Sequence, residues 1–345
     1  MDLNIALILT QDGITNAAIY ALLAMALVLV FAVTRVVFIQ QGEFVAYGAL
    51  TMAMIEAGRV PATLWMLLVM GVAVTVVRVV QAIRAGQTQS GLSAGLWNVL
   101  YPVAVGALLL WLPLAELPIV AQVALTLAVV VPIGPMMYQL AYQPIASSPV
   151  LILLIVSVAV HIAMVGLGLL FFGAEGFRTE AFSDAFFELG SVMVSGQTLW
   201  VIATSMVLIV ALYQFFDRTI YGKALRATAI NRVGARLMGI SPNLAGKLTF
   251  LLAAFIGALS GILIAPITTV YYDTGFLIAL KGFVAAIIGG LASYPLAAAG
   301  AIVVGLLEAF SSFWASAYKE VIVFTLIIPV LLWRSLKTHH VEEEE

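Results

Sequence analysis

The chain contains no cysteine and three histidines in 345 residues, and only 9% of it is charged. The missing cysteine excludes a disulfide framework, thiolate metal sites and thiol nucleophiles. His161, His339 and His340 form no ligand set with carboxylates, so no metal centre is expected. The scarcity of charge excludes an ordinary soluble domain, in which about a quarter of residues are charged. A net charge of −2 with no basic tail gives no reason to expect a nucleic-acid partner. Apolar residues make up 63% of the chain and its mean hydropathy is +1.15. That is the composition of a polytopic membrane protein. Lipid cannot satisfy free backbone amides, so spanning segments of about 20 residues are read as helices.

The apolar runs predict an all-α transmembrane bundle of about nine to eleven crossings, in a single transmembrane domain over 1–345. The runs lie at 14–34, 43–57, 62–80, 97–114, 118–140, 149–172, 197–216, 248–270, 276–291, 296–313 and 319–333. The first is preceded by Asp2 and Asp12 but by no Lys or Arg, so it is read as a retained span with its N-terminus outside and not as a signal peptide. With that orientation eleven of the fifteen basic residues face inward and the C-terminus is inside; Arg59, Arg178, Lys281 and Lys319 are the exceptions. The outward loop 173–196 carries Glu175, Glu180, Asp184 and Glu188 against Arg178.

Residues 217–247 gather six of the fifteen bases (Arg218, Lys223, Arg226, Arg232, Arg236 and Lys247) against one acid, Asp217. Val233, Leu237 and Ile240 recur on one helical face. The pattern predicts a short amphipathic helix from about Asn231 to Met238, ended by Gly239, with Ser241 as N-cap and Pro242 as first residue of the next helix. A helix held between two spans suits docking of a cytoplasmic partner; the plainer reading is a basic anchor on anionic headgroups.

Inside the apolar runs, two places hold helix breakers and charge. One is FIQQGEF, with Gln41, Gly42 and Glu43; the other is 279–309, with Lys281, Gly289, Gly290 and Glu308. Irregular backbone and ionisable groups at membrane depth mark a pathway or its support. The plainer readings are a helix-starting carboxylate for Glu43, a snorkelling Lys281 and a hydrogen-bonded core histidine for His161. A Lys281 to Glu308 pair within the bundle is expected to relieve the cost of both charges.

The segment GKALRATAINRVGARLMGI, followed by an Ala- and Gly-rich span, resembles the cytoplasmic coupling segment of bacterial ABC importer permeases, and within them the branched-chain amino acid permease family. Val233, Gly234, Ala235 and Gly239 occupy its alanine-to-glycine motif, whose leading glutamate is absent. QGEF after the first span, YQPIASSP at 142–149, 281–312 and 318–324 are also similar to the family. The resemblance covers 14–58 and about 118–334, leaving 59–117 as an inserted helical hairpin and 334–345 as a cytoplasmic tail. It implies a multi-pass permease of the cell inner membrane working with ATP-binding cassette subunits, a second permease subunit and an extracytoplasmic substrate-binding protein. Gly222, Arg226, Val233, Gly234, Ala235 and Gly239 are then the candidates for coupling to the ATPase. Gln41, Gly42, Glu43, Lys281, Gly289, Gly290 and Glu308 are the candidates for the pathway or its support. Urea and short-amide importers share this fold. ATP is expected to be used by the partner, since around Lys247 the chain has Ser241 and Leu248 where a phosphate-binding loop needs glycine and Ser or Thr. No cofactor and no enzymatic activity are expected. An ion-coupled secondary transporter or channel for a small polar solute, using Glu43 and Glu308, is the competing class.

Overall fold

The computed structural model describes residues 2–84, 88–189, 192–291 and 293–337. Residues 85–87 of the loop at 84–95 and 338–345 of the tail, with His339 and His340, lie outside the described residues. The described residues form a helical bundle with one two-stranded ribbon.

The helices run α1 (Leu3–Thr34), α2 (Gln41–Glu56), α3 (Thr63–Arg84), α4 (Thr88–Trp111), α5 (Ile119–Val130), α6 (Ile133–Met137) and α7 (Val150–Phe172). They continue with α8 (Gly196–Arg218), α9 (Ile220–Ile230), α10 (Arg232–Leu237), α11 (Pro242–Ile264), α12 (Thr274–Ile288), α13 (Tyr294–Trp314), α14 (Lys319–Thr325) and α15 (Ile327–Lys337). Among the described residues eight helical segments are long and apolar enough to cross a membrane, and two shorter apolar ones lie at Leu96–Trp111 and Thr274–Ile288. Together with the 16-residue α2 they occupy all eleven expected runs. The run at 118–140 is not one straight helix. Pro132 and Pro135 interrupt α5 and α6, and a π-turn (Tyr138–Tyr142) and a 3₁₀ turn (Gln143–Ile145) complete it.

α1, α2, α11, α12 and α13 form the interior. Their contacts are built from small residues, because association in lipid depends on close packing and not on expulsion of water. A Cβ on Gly261 of α11 would lie 2.8 Å from the Val45 carbonyl carbon of α2, and one on Gly42 would lie 2.6 Å from the Gly275 carbonyl carbon. Only glycine allows these backbones to meet. Few residues of α7, α8 and α14 are buried, and α15 is mostly exposed. α3 and α4 pack on each other as a hairpin and reach α5 through Tyr101, whose hydroxyl donates to the Ala128 carbonyl at 2.8 Å.

Contacts between loops divide them into two ends. Arg232 reaches the Ala146 carbonyl and Phe216 stacks on Tyr294, so 142–149, 217–247 and the α12–α13 turn share one end. At the other end Phe177 and Val270 form a β-bridge, Arg178 donates to the Pro266 and Ile267 carbonyls, and the Glu180 N–H donates to Glu56. Successive crossings therefore alternate direction. The acidic loop also holds strands β1 (Phe186–Leu189) and β2 (Val192–Ser195), an antiparallel pair that the apolar periodicity does not reveal.

Candidate functional site

The basic segment folds into two short helices, each capped by its own sequence. The Thr219 hydroxyl accepts from the Gly222 N–H at 2.9 Å to start α9, and the Asn231 side chain accepts from the Gly234 N–H at 2.8 Å to start α10. At the other end of α10, Gly239 takes φ +83° while its N–H and that of Ile240 return to the Arg236 and Ala235 carbonyls. This closing turn needs a left-handed residue, which glycine supplies. The expected helix is therefore present over Arg232–Leu237, and Ser241 and Pro242 start α11.

Of the coupling candidates, Gly222 and Ala235 point inward. A Cβ on Gly222 would lie 2.6 Å from Phe216 Cα, and Ala235 is buried. Leu225, which sequence reasoning did not single out, is 1% exposed and packs with Leu29, Val33, Phe216 and Ala245. It keys α9 into α1, α8 and α11. Outward face Ile220, Ile230, Val233, Leu237 and Met238, each more than 70% exposed. Apolar groups gathered at a basic, polar end are the pattern of an interaction surface. Arg226 lies 3.9 Å from Asp217, both more than half exposed, a pair that contributes little stability.

Beneath α9 is a cavity of about 560 Å³. Met25 and Leu29 of α1, Phe216 of α8, Leu225 and Ala229 of α9 and Ile256 of α11 form its apolar walls, with Tyr294, Asp217 and Arg226 as polar members. Met25 is nine residues from the end of α1, so the cavity reaches roughly 13 Å into the bundle.

None of the pathway candidates lines this cavity. Gln41, Gly42 and Glu43 belong to one buried group and Lys281 and Glu308 to another, while Gly289 and Gly290 belong to neither. In the first, Glu43 Oε1 meets His161 Nδ1 at 2.7 Å, with the His161 ring 4.6 Å from that of Phe276. Gln40 donates to the Tyr142 hydroxyl at 2.7 Å and to the Ser157 carbonyl at 2.6 Å, and Gln41 donates to the Ala253 carbonyl at 3.1 Å. One oxygen each of Gln40, Gln41 and Glu43 is buried without a hydrogen-bond partner among the described residues. In the second, Lys281 and Glu308 make the expected ion pair, both buried, and the Tyr20 hydroxyl donates to the other Glu308 oxygen. This group ties α12, α13 and α1 together. Tyr20 was readable only as a hydroxyl in the middle of an apolar span that must find a partner. Gly289 and Gly290 end α12 in a turn, where Gly290 has φ +68° and Leu291 φ +55°.

A family profile described as the branched-chain amino acid transport system permease component matches residues 91–331, well over half of the chain. The chain belongs to that family. The matched span begins within 59–117, taking in α4 but not α3. The high-affinity branched-chain amino acid transport system permease protein LivH of Escherichia coli K12 is 30% identical over 203 residues, 56% of this chain and 65% of the relative. The corresponding permease BraD of Pseudomonas aeruginosa is 32% identical over 149 residues, 43% and 48% of the two chains. A probable LivH of Methanocaldococcus jannaschii is 29% identical over 150 residues, 38% and 48%. The chain thus matches just under two thirds of LivH and about half of the other two relatives. No solved structure matches. The family is one of transport permeases, and with its apolar helices the chain is a multi-pass membrane protein.

Proposed function

We propose that this chain is the membrane-spanning subunit of an ATP-driven importer for branched-chain or related apolar amino acids in the cell inner membrane. In this reading ATP-binding cassette subunits dock on α9 and α10, a second permease subunit completes the pathway, and an extracytoplasmic binding protein delivers the substrate. The N-terminus lies outside and the C-terminus inside. The relatives' names support the substrate class. The observation that carries the coupling is the shared wall: α9 bears residues of the exposed apolar patch and, one face over, Leu225 and Ala229 of the cavity. A push on the patch moves Leu225 relative to α1 and α8, so the cavity changes shape without any further linkage. Its apolar walls suit an aliphatic side chain, and a site that must release its cargo gains from holding it by apolar contact and few polar groups.

The test is to purify the tagged chain from its native membranes and measure associated ATP hydrolysis. Val233→Asp with Leu237→Asp, both exposed and so neutral for folding, should abolish transport-coupled hydrolysis while leaving the chain inserted. Coupling that survives this double change refutes the docking assignment. The partnerless oxygen of Glu43 supports one other reading, an ion-coupled carrier; uptake by the isolated chain driven by an ion gradient, without ATP, would establish it instead.

A further inference from the structure

A second, smaller pocket of about 120 Å³ lies away from the large cavity, between α3, the turns at 138–145 and the start of α11. Among the described residues its polar lining is Arg78, Gln81, Gln139, Gln143 and Lys247, with no carboxylate. Arg78 is held in place: its Nε and Nη2 donate to Gln139 Oε1 at 3.1 and 2.6 Å, and Gln139 donates in turn to the Pro135 carbonyl at 3.0 Å. Lys247 makes no ion pair among the described residues. Two partly buried cations facing one small polar space repel each other, and an anion between them removes that cost. A guanidinium, an ammonium and side-chain amides are the donors that suit phosphate oxygens.

Depth identifies the source of the phosphate. Arg78 lies six residues before the end of α3 and Lys247 five after the start of α11, about 8–9 Å along each axis from the helix ends. Each cation stands at the end of its helix's uncharged run, 64–77 in α3 and 248–264 in α11, and a spanning helix meets the headgroups where such a run ends. Val74, Val77 and Leu140 complete the lining, and Val77 is 38% exposed, so the pocket offers apolar contact beside its cations.

We propose that this pocket binds the phosphate of an anionic amphiphile, a membrane phospholipid of the leaflet on the α9–α10 side, and that Arg78 and Lys247 carry its recognition. The bound lipid clamps α3 to α11, and so fastens the α3–α4 hairpin to the interior of the bundle.

The full chain in neutral detergent, titrated with phosphatidylglycerol and followed by native mass spectrometry, should retain one saturably bound lipid and unfold at higher temperature. Lys247→Gln, which leaves the Arg78–Gln139 bonds intact, should weaken binding roughly fivefold, and Arg78→Gln with Lys247→Gln roughly thirtyfold, at about fivefold per cation. Arg218→Gln with Lys223→Gln, which removes as much charge from the exposed loop, should leave the affinity unchanged. Protection by inorganic phosphate equal to that by the lipid, lost in the same variants, would reassign the source to a soluble anion. Equal lipid affinity in Lys247→Gln and wild type, or an equal loss in the loop variant, would overturn the proposal.

Discussion

α1 and α7 are comparably apolar, yet the apolar stretch of α1 is 83% buried and that of α7 17%. Apolar content places both in the membrane and says nothing of which one meets protein. Small residues make that choice. Gly13 of α1 sits where a Cβ would lie 3.0 Å from Leu306 Cα, and Gly282 of α12 where a Cβ would lie 2.8 Å from Leu23 Cβ, whereas a Cβ on Gly166 of α7 meets nothing within 4 Å. Polar groups follow the same division. Lys281, Glu308 and Tyr20 join three interior helices, while the outer helix α7 is joined to α2 by the bond between His161 and Glu43 and by the Tyr47 hydroxyl, which donates to the Met164 carbonyl.

The comparison breaks first at the ion pair. Glu308→Ala leaves Lys281 buried without its counter-charge and should cost about 3–5 kcal/mol, read as a large fall in thermal stability. Exchanging the charges, Lys281→Glu with Glu308→Lys, should recover part of the loss. A double-mutant cycle with no coupling between the two positions would show that the pair does not hold the interior together.

At the boundary between the regions, His161→Ala removes the partner of a buried carboxylate and should cost about 1.5–3 kcal/mol, the range for a hydrogen bond to a charged group. Protease nicking near α7 or faster hydrogen exchange there, with the α1 and α13 amides unchanged, would place the loss at the periphery. Uniform loosening of the whole bundle would contradict the division.

The smallest effect is also the sharpest test. Gly42→Ala forces a methyl against the Gly275 and Phe276 backbone and should cost about 1–3 kcal/mol, while Gly166→Ala should be neutral or stabilise by about 0.5 kcal/mol through helix propensity. If both changes have the same sign and size in thermal unfolding, small residues are not what separates the interior from the rim.

The sequence is an uneven guide to this molecule. Helices stand in all eleven apolar runs because each must satisfy its own backbone in lipid, a local demand that is visible locally. The caps at Ser241 and Gly239 were legible for the same reason, each being a bond between residues close in the chain; Asn231, expected as the first helical residue, is itself the N-cap of α10. The partner of Glu43 was not, because 118 residues separate it from His161 and only packing brings them together. Tyr20 escaped notice beside Lys281 and Glu308 on the same ground, since its hydroxyl bonds across 288 residues. The inward turn of Gly222 and Ala235 was hidden too, because the face of a short helix that meets the bundle depends on the angles at which Thr219 starts α9 and Asn231 starts α10.

The shared wall of the large cavity makes occupancy and the position of α9 linked variables. A ligand in that space touches Leu225 and Ala229, so it favours the placement of α9 that fits it best. Linkage then fixes a reciprocal relation: the factor by which displacement of α9 weakens the ligand equals the factor by which the ligand resists that displacement. Under the proposed docking, cargo and motor would act on each other through one helix eleven residues long, and each would be measured by the strain it places on the other.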